Sequence, residues 1–145
     1  LEACARQKVL PLGAISNRRS LLYVYNLASA IAAGLNHPAA TGKTFLVCDG
    51  EDLSTPDLVR RIATSLGANN HLFSLPPWLL KILGIVTGRT HAVKRLMESL
   101  QVDSSLIEKE LQWSPPFTVN EGLNQTARWY FENHPPRRGP GHLAV

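Results

Sequence analysis

Helical periodicity dominates this sequence, and the β-rich runs between the helical segments are few and short. Apolar residues recur at spacings of three and four along most of the chain, with capping residues before them and glycine or proline after them. Only residues 21–24, 44–48 and 71–75 have the composition of strands. These runs are too few for a complete Rossmann sheet. The sequence therefore predicts an α+β fold of several helices with a few short strands.

The helix boundaries follow from local signals. Thr118 is followed three residues later by Glu121, and this capping box precedes an apolar helical stripe. Asn26 is predicted to cap an earlier helix, which ends before Pro38. Further helices are predicted over residues 56–66, 78–86, 92–100 and 103–111. We expect residues 1–134 to form one domain, and residues 135–145, which contain glycines and prolines, to form a flexible tail.

Composition and charge exclude several functions. The chain has 145 residues and a formal net charge of +4, and its paired cations are spread over different predicted elements rather than concentrated on one. Its two cysteines and five histidines have no metal-ligand spacing. No apolar run is long enough to span a bilayer. We therefore expect no metal and neither nucleic acid nor a membrane as a partner, and free thiols are typical of a cytoplasmic protein.

Motifs for independent catalysis are missing. The sequence has no Gly-x-Gly-x-x-Gly between a strand and a helix and no Gly-x-Ser-x-Gly. Neither Tyr23 nor Tyr25 has a lysine four residues later, so no Tyr-x-x-x-Lys pair is formed at these tyrosines. We predict no catalytic residue and no bound cofactor in this chain. Because the first residue is Leu1, we expect a fragment of a longer protein.

Three segments, in order, resemble the C-terminal substrate-binding part of the extended short-chain dehydrogenases/reductases. They are similar in particular to the UDP-glucose 4-epimerases and the allied UDP-sugar dehydratases and reductases. The first segment is LPLG at residues 10–13 with RSLLYVYNLA at residues 19–28, the second is TGKTFLV at 41–47 with DGEDLSTPDL at 49–58, and the third is VDSSLIEKELQWSP at 102–115. The resemblance covers roughly residues 8–134.

The resemblance implies a set of UDP-binding residues. Arg19 matches the arginine that holds the diphosphate of UDP, and Pro11 and Leu12 match the segment beside the uracil. Arg95 is the candidate for a second phosphate-binding arginine, with Glu98 near the ribose. A guanidinium suits this role because it presents paired donors to phosphate oxygens. The alternative for each charged residue is a solvated side chain that stabilises only its own element.

The chain departs from the family pattern at several positions. Ser20 and Asn26 replace aspartates, Leu106 replaces a lysine and Gln112 replaces a glycine. No role is predicted for Tyr25. These differences leave open a non-catalytic module that keeps the family fold.

The resemblance also implies a division of labour in the full-length protein. An N-terminal Rossmann domain binds NAD or NADP and carries the catalytic tyrosine and lysine, while this chain holds the UDP-sugar. We expect an NAD-dependent epimerase of the UDP-glucose 4-epimerase kind, with the fragment alone inactive. A dehydratase or reductase of the same family is the alternative, and formation of a homodimer stays open.

Overall fold

The computed structural model describes residues 1–69 and 71–134. In these residues, seven α-helices, one short 3₁₀ helix and two strands follow one another along the chain. They are α1 Glu2–Ala5, β1 Arg19–Ser20, α2 Val24–Asn36, the 3₁₀ helix Pro38–Ala40, β2 Asp52–Leu53, α3 Thr55–Ser65, α4 Pro77–Val86, α5 Thr90–Met97, α6 Ser105–Leu111 and α7 Val119–Asn133. The predicted α+β fold without a complete Rossmann sheet is confirmed. The predicted flexible tail lies outside the described residues.

The sheet is smaller than predicted. β1 and β2 pair antiparallel, with Arg19 opposite Leu53 and Ser20 opposite Asp52. Residues 44–48 form no strand, residues 21–24 lead into α2, and residues 71–75 contribute a single bridge from Leu72 to Leu10. The predicted strands at residues 21–24 and 44–48 do not form, and the one at 71–75 is reduced to a single bridge. β-propensity reports how well a side chain fits a pleated surface, and it does not supply a partner strand.

A polar pair supports the strands that do form. The Ser20 hydroxyl donates to Oδ1 of Asp52 across the ladder at 2.6 Å. This bond, with that from the Gln101 amide, holds the pKa of Asp52 below its usual range. The ladder therefore lies at a polar edge of the fold, where strand propensity gives little signal.

Asn26 does not cap α2, because the helix begins earlier, at Val24. Asn26 is instead fully buried, at 0% exposure. Its Nδ2 donates to Oδ1 of Asp49 at 2.8 Å and to the carbonyl of Phe117 at 2.8 Å, while its Oδ1 accepts from the Phe117 N–H at 3.0 Å. The Asp49 carboxylate also accepts from the backbone N–H of Tyr23, at the start of the helix, at 2.9 and 3.0 Å. Asn26 thus ties α2 to the segment that precedes α7.

Two apolar clusters hold the helices together. One joins α2 to α6 and to the segment after α6, and its buried residues are Ala30, Ile107, Leu111 and Trp113. The other joins α1, α3 and α7 through Cys4, Leu66 and Ala127. The predicted capping box at the start of α7 is confirmed. No helix in the described ranges is long and apolar enough to cross a membrane.

Candidate functional site

The candidate site is built around β1, which lies between two other segments. β2 pairs with one edge of β1. On the other side, the chain that leaves α5 runs parallel to β1: the Ser20 N–H donates to the Leu100 carbonyl at 2.9 Å, and the Leu100 N–H donates to the Arg18 carbonyl at 2.9 Å. The Val102 N–H adds a bond to the Ser20 hydroxyl at 2.8 Å. This arrangement brings the end of α5 next to Arg19.

Arg19 and Arg95, here called the arginine pair, are brought together although they are far apart in the sequence. Nη1 of Arg19 donates to the carbonyl oxygen of Arg95 at 2.7 Å. This carbonyl belongs to the last turn of α5, where carbonyls lack partners within the helix. The bond uses one of the five N–H donors of the guanidinium, so the others can bind phosphate oxygens.

Asn17 anchors the end of α5, a role that the sequence analysis did not assign. The side chain is buried, and its Nδ2 donates to the carbonyls of Leu96 at 3.2 Å and Glu98 at 3.1 Å. Its Oδ1 accepts from the Thr55 N–H at 2.8 Å, at the first residue of α3. The hydroxyl of Thr55 adds a bond to the Leu96 carbonyl at 3.1 Å. The position of the arginine pair therefore depends on Asn17.

Glu98 lies directly after α5, in contact with a cation. Nζ of Lys94 and Oε1 of Glu98 are 3.5 Å apart, and both side chains are exposed, which is the geometry of a surface ion pair of small energetic value. Both residues also line a cavity of about 510 Å³ between α4 and α5. Neither member of the arginine pair lines this cavity. A contact between Glu98 and a ribose stays a prediction.

Pro11 and Leu12 occupy a turn beside the segment that leads to α4. Backbone bonds fix this turn: Leu10 pairs with residues 71–73 at 2.9 and 3.1 Å, and the Gly13 N–H donates to the Phe73 carbonyl at 3.0 Å. Both side chains are half-buried. In the part of the chain that the structure describes, no hydrogen bond links the turn to the arginine pair. Their position near a base stays a prediction.

Tyr25 belongs to an aromatic group on the surface. Its ring centroid lies 5.4 Å from that of Tyr23 and 6.3 Å from that of Phe117. Burial, followed by the neighbouring Tyr25, raises the pKa of Tyr23 above its ordinary value. Both effects favour the neutral hydroxyl of Tyr23 over its charged form.

The side chains that commonly bind metals are dispersed in residues 1–69 and 71–134. No group of three or more His, Cys, Asp or Glu side chains in these ranges could hold a metal ion. Charged side chains near the end of α5 form the bond from Arg19 to the Arg95 carbonyl and the Lys94–Glu98 ion pair.

Comparison with known proteins gives the class. The fold is α+β, and the chain is homologous to UDP-glucose 4-epimerase and to a related 4-epimerase. This confirms the predicted resemblance to the NAD-dependent epimerase/dehydratase family, and the match is consistent with a C-terminal portion of such a protein. No family model matches the chain.

The individual relatives are bacterial. The chain is 40% identical over 124 residues to UDP-glucose 4-epimerase of Vibrio cholerae, a match that covers 85% of the chain and 38% of that relative. It is 27% identical over 143 residues to N-acetyl-alpha-D-glucosaminyl-diphospho-ditrans,octacis-undecaprenol 4-epimerase of Escherichia coli O157:H7, covering 90% and 43%. The uncharacterized protein y4nL of Sinorhizobium fredii is 22% identical over 138 residues, covering 84% and 39%. The chain thus spans about two fifths of the length of these relatives.

Proposed function

We propose that this chain is the part of a nucleotide-sugar 4-epimerase that holds the diphosphate of a UDP-sugar. The observation that carries the proposal is the contact between the Arg19 guanidinium and the carbonyl of Arg95, at 2.7 Å. It places the Arg19 side chain against the backbone of Arg95, and in the proposal the exposed side chain of Arg95 turns toward the same ligand. Two guanidinium groups suit a diphosphate, because they can share its charge and bind oxygens on both phosphates.

In this proposal the chain supplies binding and the rest of the protein supplies chemistry. NAD or NADP, bound elsewhere in the full-length protein, would accept and return the hydride. Holding the UDP moiety fixed lets the sugar turn while it stays in the site, and this remote binding energy positions the reacting carbon. Glu98 near the ribose and Pro11 and Leu12 near the uracil complete the proposed site. The proposal includes a cytoplasmic location and no activity for this part of the chain alone.

The steady-state kinetics of the full-length protein test the role of Arg19. We expect Arg19→Ala to raise KM for the UDP-sugar by about 10- to 100-fold, because the variant loses one or two hydrogen bonds to a charged group. Arg18→Ala is the matched control, because Arg18 is the neighbouring residue and its side chain is exposed. An equal effect of the two substitutions, or an unchanged KM in Arg19→Ala, would remove Arg19 from the site.

The named relatives suggest a second substrate. Both names describe 4-epimerisation of a sugar on a diphosphate, which carries uridine in one and a polyprenol in the other. The arginine pair would hold the diphosphate in either case. We favour the UDP-sugar because the identity is 40% to the first relative and 27% to the second. Comparing kcat/KM for UDP-glucose and for a polyprenyl-diphosphate sugar decides between them, and a preference for the lipid-linked sugar would reverse our assignment.

A further inference from the structure

One side of α4 is apolar and exposed. Trp78, Ile82, Ile85 and Val86, here called the α4 stripe, are 62%, 46%, 67% and 77% exposed. Their spacing places them on one side of the helix, while Leu80 and Gly84 are buried on the opposite side. A contiguous group of large apolar side chains at such exposure is typical of a surface that binds another molecule or a membrane.

Cations predominate around this stripe, and one acid, Glu98, lines the cavity between α4 and α5. Residues 58–97 contain no aspartate or glutamate. Apart from Arg95 of the arginine pair, three exposed cations belong to α4, to α5 and to the turn between them: Lys81, Arg89 and Lys94. Lys94 is paired with Glu98, which follows α5, through an exposed contact of 3.5 Å. A partner that fits this surface is therefore apolar at its centre and anionic around it.

Close packing holds the cations of α5 beside α4. A Cβ atom on Gly84 would lie 2.9 Å from Cγ2 of Val93, so the two helices approach closely only because residue 84 is glycine. The Arg89 N–H donates to the Gly84 carbonyl at 2.8 Å across the turn, and Gly88 in that turn has a φ of +66°. The stripe and its cations thus form one tightly connected helical hairpin.

We propose that this hairpin docks the protein on an anionic lipid bilayer. A helix of ten residues is about 15 Å long, half the thickness of the hydrocarbon core, so α4 would lie in the plane of the interface. Its apolar side would enter the boundary between headgroups and acyl chains, with the Trp78 indole at headgroup depth and the cations on lipid phosphates. Apolar insertion and electrostatic attraction act together in such docking.

The charges favour an anionic bilayer over a second copy of the chain. Two copies of the chain that met through this stripe would bring their cations together, which is unfavourable. α2 gives the contrast: it also exposes apolar residues, Val24, Ile31 and Leu35 among them, but it contains no charged residue at all. A neutral apolar surface of that kind suits another part of a protein. The proposal departs from the expectation of no membrane partner, which considered only membrane-spanning helices.

Co-sedimentation with lipid vesicles tests the docking in the full-length protein. We expect binding to vesicles of phosphatidylglycerol and phosphatidylcholine, weaker binding to phosphatidylcholine alone, and weakening by salt. The double substitution Trp78→Ala with Val86→Asn should lower the partition coefficient about tenfold or more. Lys81→Gln should lower it about fivefold, and Lys109→Gln, which removes an exposed cation from α6, should not.

The matched control is the double substitution Trp129→Ala with Leu35→Asn. It removes one exposed tryptophan and one exposed aliphatic residue from α7 and α2, at 56% and 82% exposure. The proposal requires this control to bind vesicles as the wild type does. It is overturned if neither vesicle binds, if both double variants lose binding equally, or if the Trp78 variant changes oligomeric state or unfolding in place of lipid binding. KM for a soluble UDP-sugar is independent of this test, so the two proposals fail separately.

Discussion

Single residues carry much of the local strain and order in this fold. Gln112 ends α6 with a φ of +51°, in the left-handed region where a side chain is unfavourable. The family pattern has glycine at this place, and the left-handed backbone gives the physical reason for it. Glutamine at this position therefore costs stability, although α6 still ends here and the buried Trp113 follows directly.

Gln112→Gly should stabilise the protein by about 0.5–1 kcal/mol, because glycine adopts this backbone conformation without strain. The same substitution at exposed Gln125, inside α7, should destabilise by about 1 kcal/mol. The free energy of unfolding, measured with denaturant, checks both. A loss of stability in Gln112→Gly would show that the left-handed end of α6 is not strained.

The buried side chain of Asn26 is held by three hydrogen bonds. In Asn26→Asp a second carboxylate would face Asp49, and the Phe117 carbonyl would lose its donor. We expect a loss of about 2–4 kcal/mol at neutral pH, because a buried charge and an unsatisfied carbonyl are both costly. Adding Asp49→Asn should recover part of this loss, since the new amide can donate to the carboxylate. Additive effects in this double-mutant cycle would contradict a direct interaction.

At the scale of elements, the helices were predictable and the strands were not. The signals that set the helix ends are local. The capping box of Thr118 and Glu121 lies at the start of α7, and Pro38 lies two residues after the end of α2. Strand formation requires a distant partner. The β-rich residues 44–48 form no strand in the described structure, while polar Asp52 does because it lies opposite Ser20.

In the candidate site, too, some residues could be predicted from the sequence and others could not. Arg19 was predicted through its family motif, and its bond to the Arg95 carbonyl shows that the two segments lie side by side, while its role in binding stays a prediction. Asn17 was missed because its partners are backbone carbonyls 79 and 81 residues away, and a carbonyl leaves no trace in the side-chain sequence. Tertiary hydrogen bonds of this kind can be found only with the chain folded.

The capping box gives α7 a pH dependence. Bonds from the backbone N–H and the hydroxyl of Thr118 hold the pKa of Glu121 below its ordinary value of 4.5. A carboxyl whose pKa is lower in the folded state stabilises the fold above the ordinary pKa, and this stabilisation is lost as the pH falls through the lowered value. Glu121→Gln should therefore flatten the acid side of the stability curve. The free energy of unfolding, measured with urea at several pH values, checks this. If it falls as steeply below pH 5 in the variant as in the wild type, the prediction is contradicted.

The packing of α4 on α5 depends on Gly84. Gly84→Ala should destabilise by about 1–3 kcal/mol, because the new methyl group meets the buried side of the hairpin at Val93. Gly34→Ala in α2 is the matched control: its Cβ meets nothing within 4 Å, so it should stabilise by about 0.5–1 kcal/mol. Denaturant unfolding of both variants measures the difference. Equal effects would show that the helices do not approach closely at Gly84.

At the scale of the whole molecule, the chain presents surfaces with different chemistry. The neutral apolar side of α2, the α4 stripe with its neighbouring cations, and the arginine pair, whose Arg95 belongs to α5, are features of one small fold. The chain spans about two fifths of the length of its relatives. The arginine pair is the feature on which the proposed function rests.

The most direct test of the arginine pair is calorimetric titration of the full-length protein, saturated with NAD, with UDP and with UMP. A diphosphate site predicts that UDP binds more tightly than UMP, and that Arg19→Ala and Arg95→Ala each remove most of that difference. Arg128→Ala, which removes an exposed arginine from α7, should leave both affinities unchanged. If UDP and UMP bind equally, or if the difference between them survives both substitutions, the arginine pair does not hold a diphosphate.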